Sequence, residues 1–224
     1  MEILDKSTKF AHLGKPGGVF SAGFQRRLDK ITKLTDLENK KILDMGCGIG
    51  VWMEQFKKFT DAQNIYGFDV DAESINEYKE LNKDSEKKIP EKNIVVSKSE
   101  SLPFDSEMFD IVFSNEVLEH VDDDRKTVEE ALRVLKPGGQ LIFFTPNRGW
   151  PFETHGMFWR GKYYWGNIPL LPWMPAFIRK KLAPHVRNYS NKDVKRLIRG
   201  TEGEITYHSH VFSAFDKVKR KSKL

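Results

Sequence analysis

In KKILDMGCGIG, residues 40–50, one carboxylate and three glycines at alternate positions follow a short apolar run. Glycine lacks Cβ and adopts positive φ at little cost, so Gly46, Gly48 and Gly50 let a ligand approach the backbone closely around Cys47. Asp44 adds a negative charge beside them. At position 69, in YGFDVD, a second acid followed by Val70 closes the next apolar run, where a carboxylate accepts from both hydroxyls of a ribose. Taken singly, a glycine-rich turn is commonly just a turn and an aspartate after a strand is commonly a helix cap. Their occurrence at two consecutive strand ends points to a nucleoside ligand. A triphosphate turn requires Lys-Ser or Lys-Thr after its last glycine, whereas Val51 and Trp52 stand here. A dinucleotide turn requires G-x-G-x-x-G, and the spacing here is G-x-G-x-G. S-adenosylmethionine remains, a ligand without phosphate whose cationic tail and sulfonium would pass the glycines and be balanced by Asp44.

Two further clusters carry chemistry. PFETHG sets Glu153 and His155 beside Phe152, Met157 and Phe158, and a histidine with a neighbouring acid suits a general base near neutral pH. His185, in APHVRNYS, is a second candidate base, and packing is the competing role for both. Glu116, Glu119 and His120 fall at i, i+3 and i+4, a spacing that gathers them on one face of a helical turn. Such a trio either holds a divalent ion that acidifies a phenolic acceptor or braces the turn. Bracing is the reading adopted, and no metal is assigned.

The elements that must position these residues follow from periodicity. Phe20, Phe24, Leu28, Ile31 and Leu34 recur at helical spacing, predicting a helix over 20–37 after the GKPGG turn. KKILDMG, NIYGFDV, NIVVSK, FDIVFSN and QLIFFTP read as strands. Between them come helices marked by Trp52, Phe56 and Phe59, by Ala72 to Leu81, and by Val128, Ala131, Leu132 and Leu135, the last entered through Asp122 to Asp124 and ended by KPGG. This alternation predicts right-handed crossovers, a parallel sheet and helices on both faces, a doubly wound α/β domain. Residues 147–188 break the rhythm with mixed prolines, aromatics and cations, and a long segment beyond a strand's carboxyl end reads as a substrate cap. Ser190 and Asp193 open another helix that Gly200 closes, and GEITYHSHV reads as a late strand. The expected organisation is an N-terminal helical segment (1–37), a cofactor-binding core (38–147), a cap insertion (148–189), and a C-terminal helix, late strand and basic tail (190–224).

ILDMGCGIG, YGFDVDAESI, SLPFDSEMFDIVFSNEVLEHV and ALRVLKPGGQLIFFTPN together resemble, in order, the motifs of class I S-adenosylmethionine-dependent methyltransferases, especially the branch with ubiquinone-biosynthesis O-methyltransferases. The resemblance covers residues 38–147. It implies a Rossmann-like seven-stranded sheet, cofactor binding by the Asp44 to Gly50 turn and by Asp69, and methyl transfer. The family commonly places an aspartate after the third strand to accept from adenine, and aligning on LPF puts Lys98 there. A lysine offers no acceptor, so Ser99 or Glu100 takes that part, or adenine rests on apolar contacts and backbone. Asn115 is expected at the methionine tail. The Pro-Pro-aromatic signature of adenine-specific DNA methyltransferases does not follow it.

The composition narrows the partners. With 224 residues, 39% hydrophobic, the chain can bury one substantial core. One cysteine leaves no internal disulfide and suits a reducing compartment. The charged N-terminus lacks the features of a secretory leader, and no stretch reaches the roughly 18 apolar residues of a membrane span, so a cytoplasmic protein is expected. A net charge of +5, with five cations in the final KVKRKSKL, gives no continuous basic stripe for nucleic acid. IPLLPWMPAFI followed by RKK either lines an apolar pocket, rests on a membrane surface, or packs on the sheet. The expected acceptor is small, hydrophobic or lipid-linked, methylated on oxygen. A cofactor-binding regulator without turnover and a nucleic-acid methyltransferase are the competing readings.

Overall fold

The computed structural model describes residues 22–211. These fall into two compact units. One comprises residues 34–146 and 191–206, and the other is drawn from the N-terminal residues before 34, from 147–190 and from 207 onward.

The first unit is built on a parallel sheet of β1 (Ile42–Met45), β2 (Ile65–Asp69), β3 (Ile94–Val96), β4 (Phe109–Asn115) and β5 (Leu135–Phe144), in the order β3-β2-β1-β4-β5. Every residue of β1 is buried, which requires cover on both faces and explains its unbroken apolar run. On one face Leu43, Met45, Phe109 and Val112 pack with Ala131 and Val134 of α4 (Asp124–Val134). On the other, Trp52 and Phe56 of α2 (Val51–Phe56) meet Phe113 of β4 at ring separations of 4.7 and 5.3 Å.

The crossovers are closed by polar side chains. Asp71 caps α3 (Ala72–Lys83) by accepting from the amides of Glu73 and Ser74. In the last turn of α3 the Asn82 side-chain amide pairs in both directions with the backbone of Ile89, at 2.7 and 3.1 Å, so the hydrophilic linker that follows is anchored. Asp123 caps α4 through the amide of Lys126. Arg125 donates to the carbonyls of Arg196, Leu197 and Arg199, at 2.7–3.3 Å, and so closes the carboxyl end of α6 (Asn191–Ile198) where the helix dipole favours a cation.

Three expectations are corrected. KPGG does not separate α4 from the last strand. It lies inside β5, where the register to β4 shifts between Phe109 and Ile111, and Gly138 at φ 76° makes the bulge. GEITYHSHV is not a strand: residues 203–211 carry no regular structure, because Ile205 and Tyr207 are both exposed and no buried face sets a register. The main sheet therefore has five strands among the described residues rather than seven. The N-terminal helix α1 is described over Ala22–Leu34, ending before Leu37, and Phe20 lies outside the described residues.

The second unit holds two short antiparallel pairs, β6 (Phe152–Glu153) with β9 (Ile168–Pro169) and β7 (Met157–Trp159) with β8 (Lys162–Tyr164), followed by α5 (Ala176–Leu182). The two ends of the 147–190 segment meet, since Asn147 bridges Tyr189 and the Arg148 amide donates to the Tyr189 carbonyl at 2.9 Å.

Candidate active site

In the first unit the strand order reverses between β1 and β4, and the crevice beyond the carboxyl ends at such a reversal is where open α/β sheets take ligands. The glycine turn sits there. The amides of Gly46 and Cys47 both donate to the Phe68 carbonyl, at 2.8 and 2.9 Å, and the Gly50 amide donates to the Cys47 carbonyl. Gly46, Gly48 and Gly50 have φ of 70°, 51° and 77°, values only glycine adopts freely.

The three glycines serve different ends. A Cβ on Gly50 would lie 2.2 Å from the Tyr78 ring, and one on Gly46 would lie 2.4 Å from Val117. Nothing stands within 4 Å of a Cβ on Gly48, so there the positive φ rather than crowding calls for glycine, and the space beside it is open. Tyr78 is fixed in turn. Its hydroxyl donates to Glu54 at 2.7 Å, and the buried Lys57 reaches both Glu54 and Ser85, at 2.7 and 3.0 Å. Burial and this bond to a carboxylate push the Tyr78 phenol far up, so it remains a donor. Gly50→Ala is expected to cost about 2–4 kcal/mol of stability by overlap and strain. Gly48→Ala should cost about 1 kcal/mol, the strain of a left-handed residue, yet weaken cofactor binding. Denaturant midpoints and calorimetric titration on the two variants check the contrast.

Asp69 spans the two strand ends. One carboxylate oxygen accepts from the Gly48 amide at 2.8 Å and the other from the Asp71 amide at 2.9 Å. Burial nevertheless holds its pKa above the ordinary range, the amides opposing. Asp44 is buried to 1%, and its Oδ2 finds no hydrogen-bond partner among the described residues. Burial first, and Asp69 second, push its carboxyl well above the usual range. At the end of β4, Ser114 Oγ and Asn115 Oδ1 are likewise buried and without a partner there, and Ser114 pairs in register with Met45. Unmet polar atoms are costly when buried, so this row of acceptors fits a ligand bearing a cationic amine and hydroxyls, as S-adenosylmethionine does.

The remaining expected cofactor residues divide. Cys47 is buried, and burial, then Asp44 and Asp69, push its thiol up, which leaves it packing beside the turn rather than reacting. Val70 is 64% exposed just past β2. Ser99 is buried in the turn after β3, whereas one oxygen of Glu100 accepts from the amides of Asp122 and Asp123 at 3.0 and 3.2 Å. Residues 117–120 form a turn rather than a helix, closed by the His120 amide on the Val117 carbonyl. Within it His120 lies 4.0 Å from the buried carboxylate of Glu119. Ser114 was not anticipated, although a hydroxyl ending the apolar run FDIVF is a legible signal.

In the second unit, Glu153 and His155 are both buried and bonded. Glu153 Oε1 accepts from His155 Nδ1 and from its backbone amide, both at 2.9 Å, and Oε2 accepts from Asn188 at 2.8 Å. Burial alone would raise the Glu153 pKa, but the two His155 donors and Asn188 outweigh it and hold it below the usual range. A carboxylate on Nδ1 places the ring proton there and makes Nε2 the basic atom. Tyr163 and His185 both donate to the His155 carbonyl, and Phe158, Tyr163 and His185 form a cluster of rings 5.0–5.7 Å apart. Burial lowers the His185 pKa, and its Nε2 is engaged on that carbonyl, so it supports His155 rather than rivalling it. Asn188 and Tyr163 were not foreseen, because nothing in their local sequence announces contacts 35 and 8 residues away.

Comparison with known proteins bears on the family and the fold. Residues 43–143 match the family described as "Methyltransferase domain". A ubiquinone biosynthesis O-methyltransferase of Hydrogenovibrio crunogenus is 32% identical over 124 residues, 55% of this chain and 50% of that protein. The enzyme of the same name from Coxiella burnetii is 33% identical over 122 residues, 54% of this chain and 50% of its own. The chain thus spans about half the length of these relatives. A solved S-adenosylmethionine-dependent methyltransferase from Mesorhizobium loti shares the fold with a TM-score of 0.63 at 15% identity, covering 92% of both chains. One from Aquifex aeolicus gives 0.58 at 18% identity, over 91% of this chain and 92% of that one. Residues 43–143 thus match a methyltransferase domain, and the motif order, the parallel sheet and the acceptor-lined glycine turn are those of the fold shared with S-adenosylmethionine-dependent methyltransferases.

Proposed function

We propose that the chain methylates an oxygen of a small hydrophobic or lipid-linked acceptor, with His155 as the base, Glu153 as its orienting carboxylate and residues 148–189 supplying the acceptor-binding elements. The observation that carries this reading is the buried Glu153–His155 pair. Bound S-adenosylmethionine supplies an activated methyl group, so displacement needs alignment and a dry site more than it needs acid or base. A base matters when the nucleophile arrives protonated, as a hydroxyl does. The Glu153 carboxylate fixes the imidazole tautomer, and the Phe158, Tyr163 and His185 rings exclude water around it. The O-methyltransferase relatives support the same choice, as proteins this chain resembles over half their length.

The Asp44 to Gly50 turn, Asp69 and Asn115 would hold the cofactor, with Asp69 on the ribose hydroxyls, Asp44 facing the cationic end, and Ser99 nearest the adenine. Methyl transfer from isotope-labelled cofactor, offered hydroxyl-bearing lipid and small-molecule extracts beside nucleic acid, tests the reading. Label confined to nucleic acid would reject it. Asp69→Ala should weaken the cofactor by about 1.5–3 kcal/mol, the range for a hydrogen bond to a charged group. Calorimetry with S-adenosylmethionine and its demethylated product measures this, and an unchanged affinity removes Asp69 from the site.

A further inference from the structure

Within residues 147–190 seven side chains are basic, and the one acid, Glu153, is buried to 1%. Every exposed charge on this segment is therefore positive. The same segment exposes large apolar side chains that its own packing does not use: Trp159 at 48%, Tyr164 at 45%, Trp165 at 57%, Leu170 at 52%, Trp173 at 56% and Phe177 at 74%.

The β7–β8 pairing explains part of this. Met157 lies opposite Tyr164, Phe158 opposite Tyr163 and Trp159 opposite Lys162. Alternation sends Phe158 and Tyr163 to the face carrying the ring cluster and puts Met157, Trp159, Lys162 and Tyr164 on the other, where Met157 packs toward Leu171 and the remaining three are exposed. Residues 168–178 hold no charge and run directly into Arg179, Lys180 and Lys181. Three prolines at every third position keep this run from forming one long helix, and among the described residues no helix is long and apolar enough to cross a membrane. In α5, Lys180 and Lys181 stand at i+3 and i+4 from Phe177, so the most exposed apolar ring shares its side of the helix with two exposed cations.

We propose that this face of the 147–190 segment docks on the surface of an anionic lipid bilayer, its aromatic rings in the headgroup layer and its lysines on lipid phosphates. Rings with one apolar and one polar part, flanked by long cationic stems, have the composition of interfacial anchors. A second copy of the chain is the poorer occupant, because a two-fold contact would set positive charge on positive charge. Nucleic acid is poorer too, because the uncharged run ending at Ile178 offers apolar side chains where phosphates would lie. The proposal stands whether or not His155 is the base.

The test uses the full chain with vesicles of phosphatidylcholine alone or with about 30% phosphatidylglycerol, a charge density at which basic side chains engage the surface. Co-sedimentation with the anionic vesicles only, weakened by salt and accompanied by a blue shift of tryptophan emission, is the expected result. Each lysine contributes about fivefold at such a surface, so Lys180→Ser with Lys181→Ser should lower the partition coefficient about 25-fold. Phe177→Ser with Trp173→Ser should abolish the emission shift. Both pairs are exposed, so affinity for the demethylated cofactor should stay unchanged and report an intact fold. Equal binding to neutral vesicles, or none to either, overturns the proposal. So does a concentration-dependent dimer that Phe177→Ser dissolves, or salt-sensitive capture of an RNA oligonucleotide with no response to lipid.

Discussion

His155→Ala should slow methyl transfer by about 10²–10⁴-fold, the usual contribution of a positioned base, while cofactor affinity should stay within about twofold. The asymmetry follows from where the residue sits. His155 is held by Glu153, which is held in turn by Asn188, and none of the three belongs to the glycine turn. The substitution also removes the ring donor, though not the backbone amide, from a buried carboxylate and should destabilise the protein by about 1–3 kcal/mol, so the rate must be read per folded molecule in single turnover. A pH-dependent rate in the unmodified protein that becomes flat in the variant separates base catalysis from packing. Glu153→Gln tests the orientation separately, because an amide no longer compels the proton onto Nδ1. A destabilised His155→Ala protein with an intact rate would retire the catalytic role.

Asp44→Asn should move stability and binding in opposite directions. Burial and the neighbouring Asp69 raise the folded-state pKa of Asp44. Between the ordinary aspartate value, about 4, and that raised value, the folded protein binds more protons than the unfolded chain, so stability falls as pH rises through this window. An asparagine has no charge to desolvate. The unliganded variant should be more stable at neutral pH by about 1–3 kcal/mol, seen as a rise of about 2–4 °C per kcal/mol in melting temperature. Its affinity for S-adenosylmethionine should drop about 10- to 150-fold through loss of the charge that faces the ligand's cation. In the unmodified protein the cationic ligand favours ionised Asp44, so binding releases a proton, affinity strengthens as pH rises, and the calorimetric enthalpy varies with buffer ionisation. The variant should show neither dependence. A variant that melts lower and binds normally would mean that Asp44 is purely structural.

These two sites were unequally legible in the sequence. The geometry of the glycine turn and of Asp69 can be read because backbone geometry is local: alternate glycines permit successive positive φ values, and an acid closing a strand accepts from nearby amides. The doubly wound order is legible for the same reason, through runs such as ILDM that must be covered on both faces. Long-range polar contacts are not. Asn188 on Glu153 and the Asp122 amide on Glu100 join residues 35 and 22 positions apart, and no local pattern encodes such meetings. The late strand fails for a different cause. Ile205 and Tyr207 alternate with polar residues as an edge strand would, but alternation alone supplies no neighbouring strand to pair with. KPGG reads as a stop for the preceding helix, as glycine after proline commonly does, and the structure uses the same flexibility to bulge β5 against Asp110 and Leu135.

The bridge between Asn147 and Tyr189 has an evolutionary reading. Chain that leaves and returns at one point can be lengthened, shortened or exchanged with little penalty, because loop entropy grows only with the logarithm of length. A lineage could therefore replace everything between these two residues in one recombination event while the parallel sheet and its glycine turn stayed as they are. New acceptors would then be acquired by swapping a cassette rather than by accumulating point changes. The same hinge marks where an engineer should cut to graft the equivalent segment of another methyltransferase.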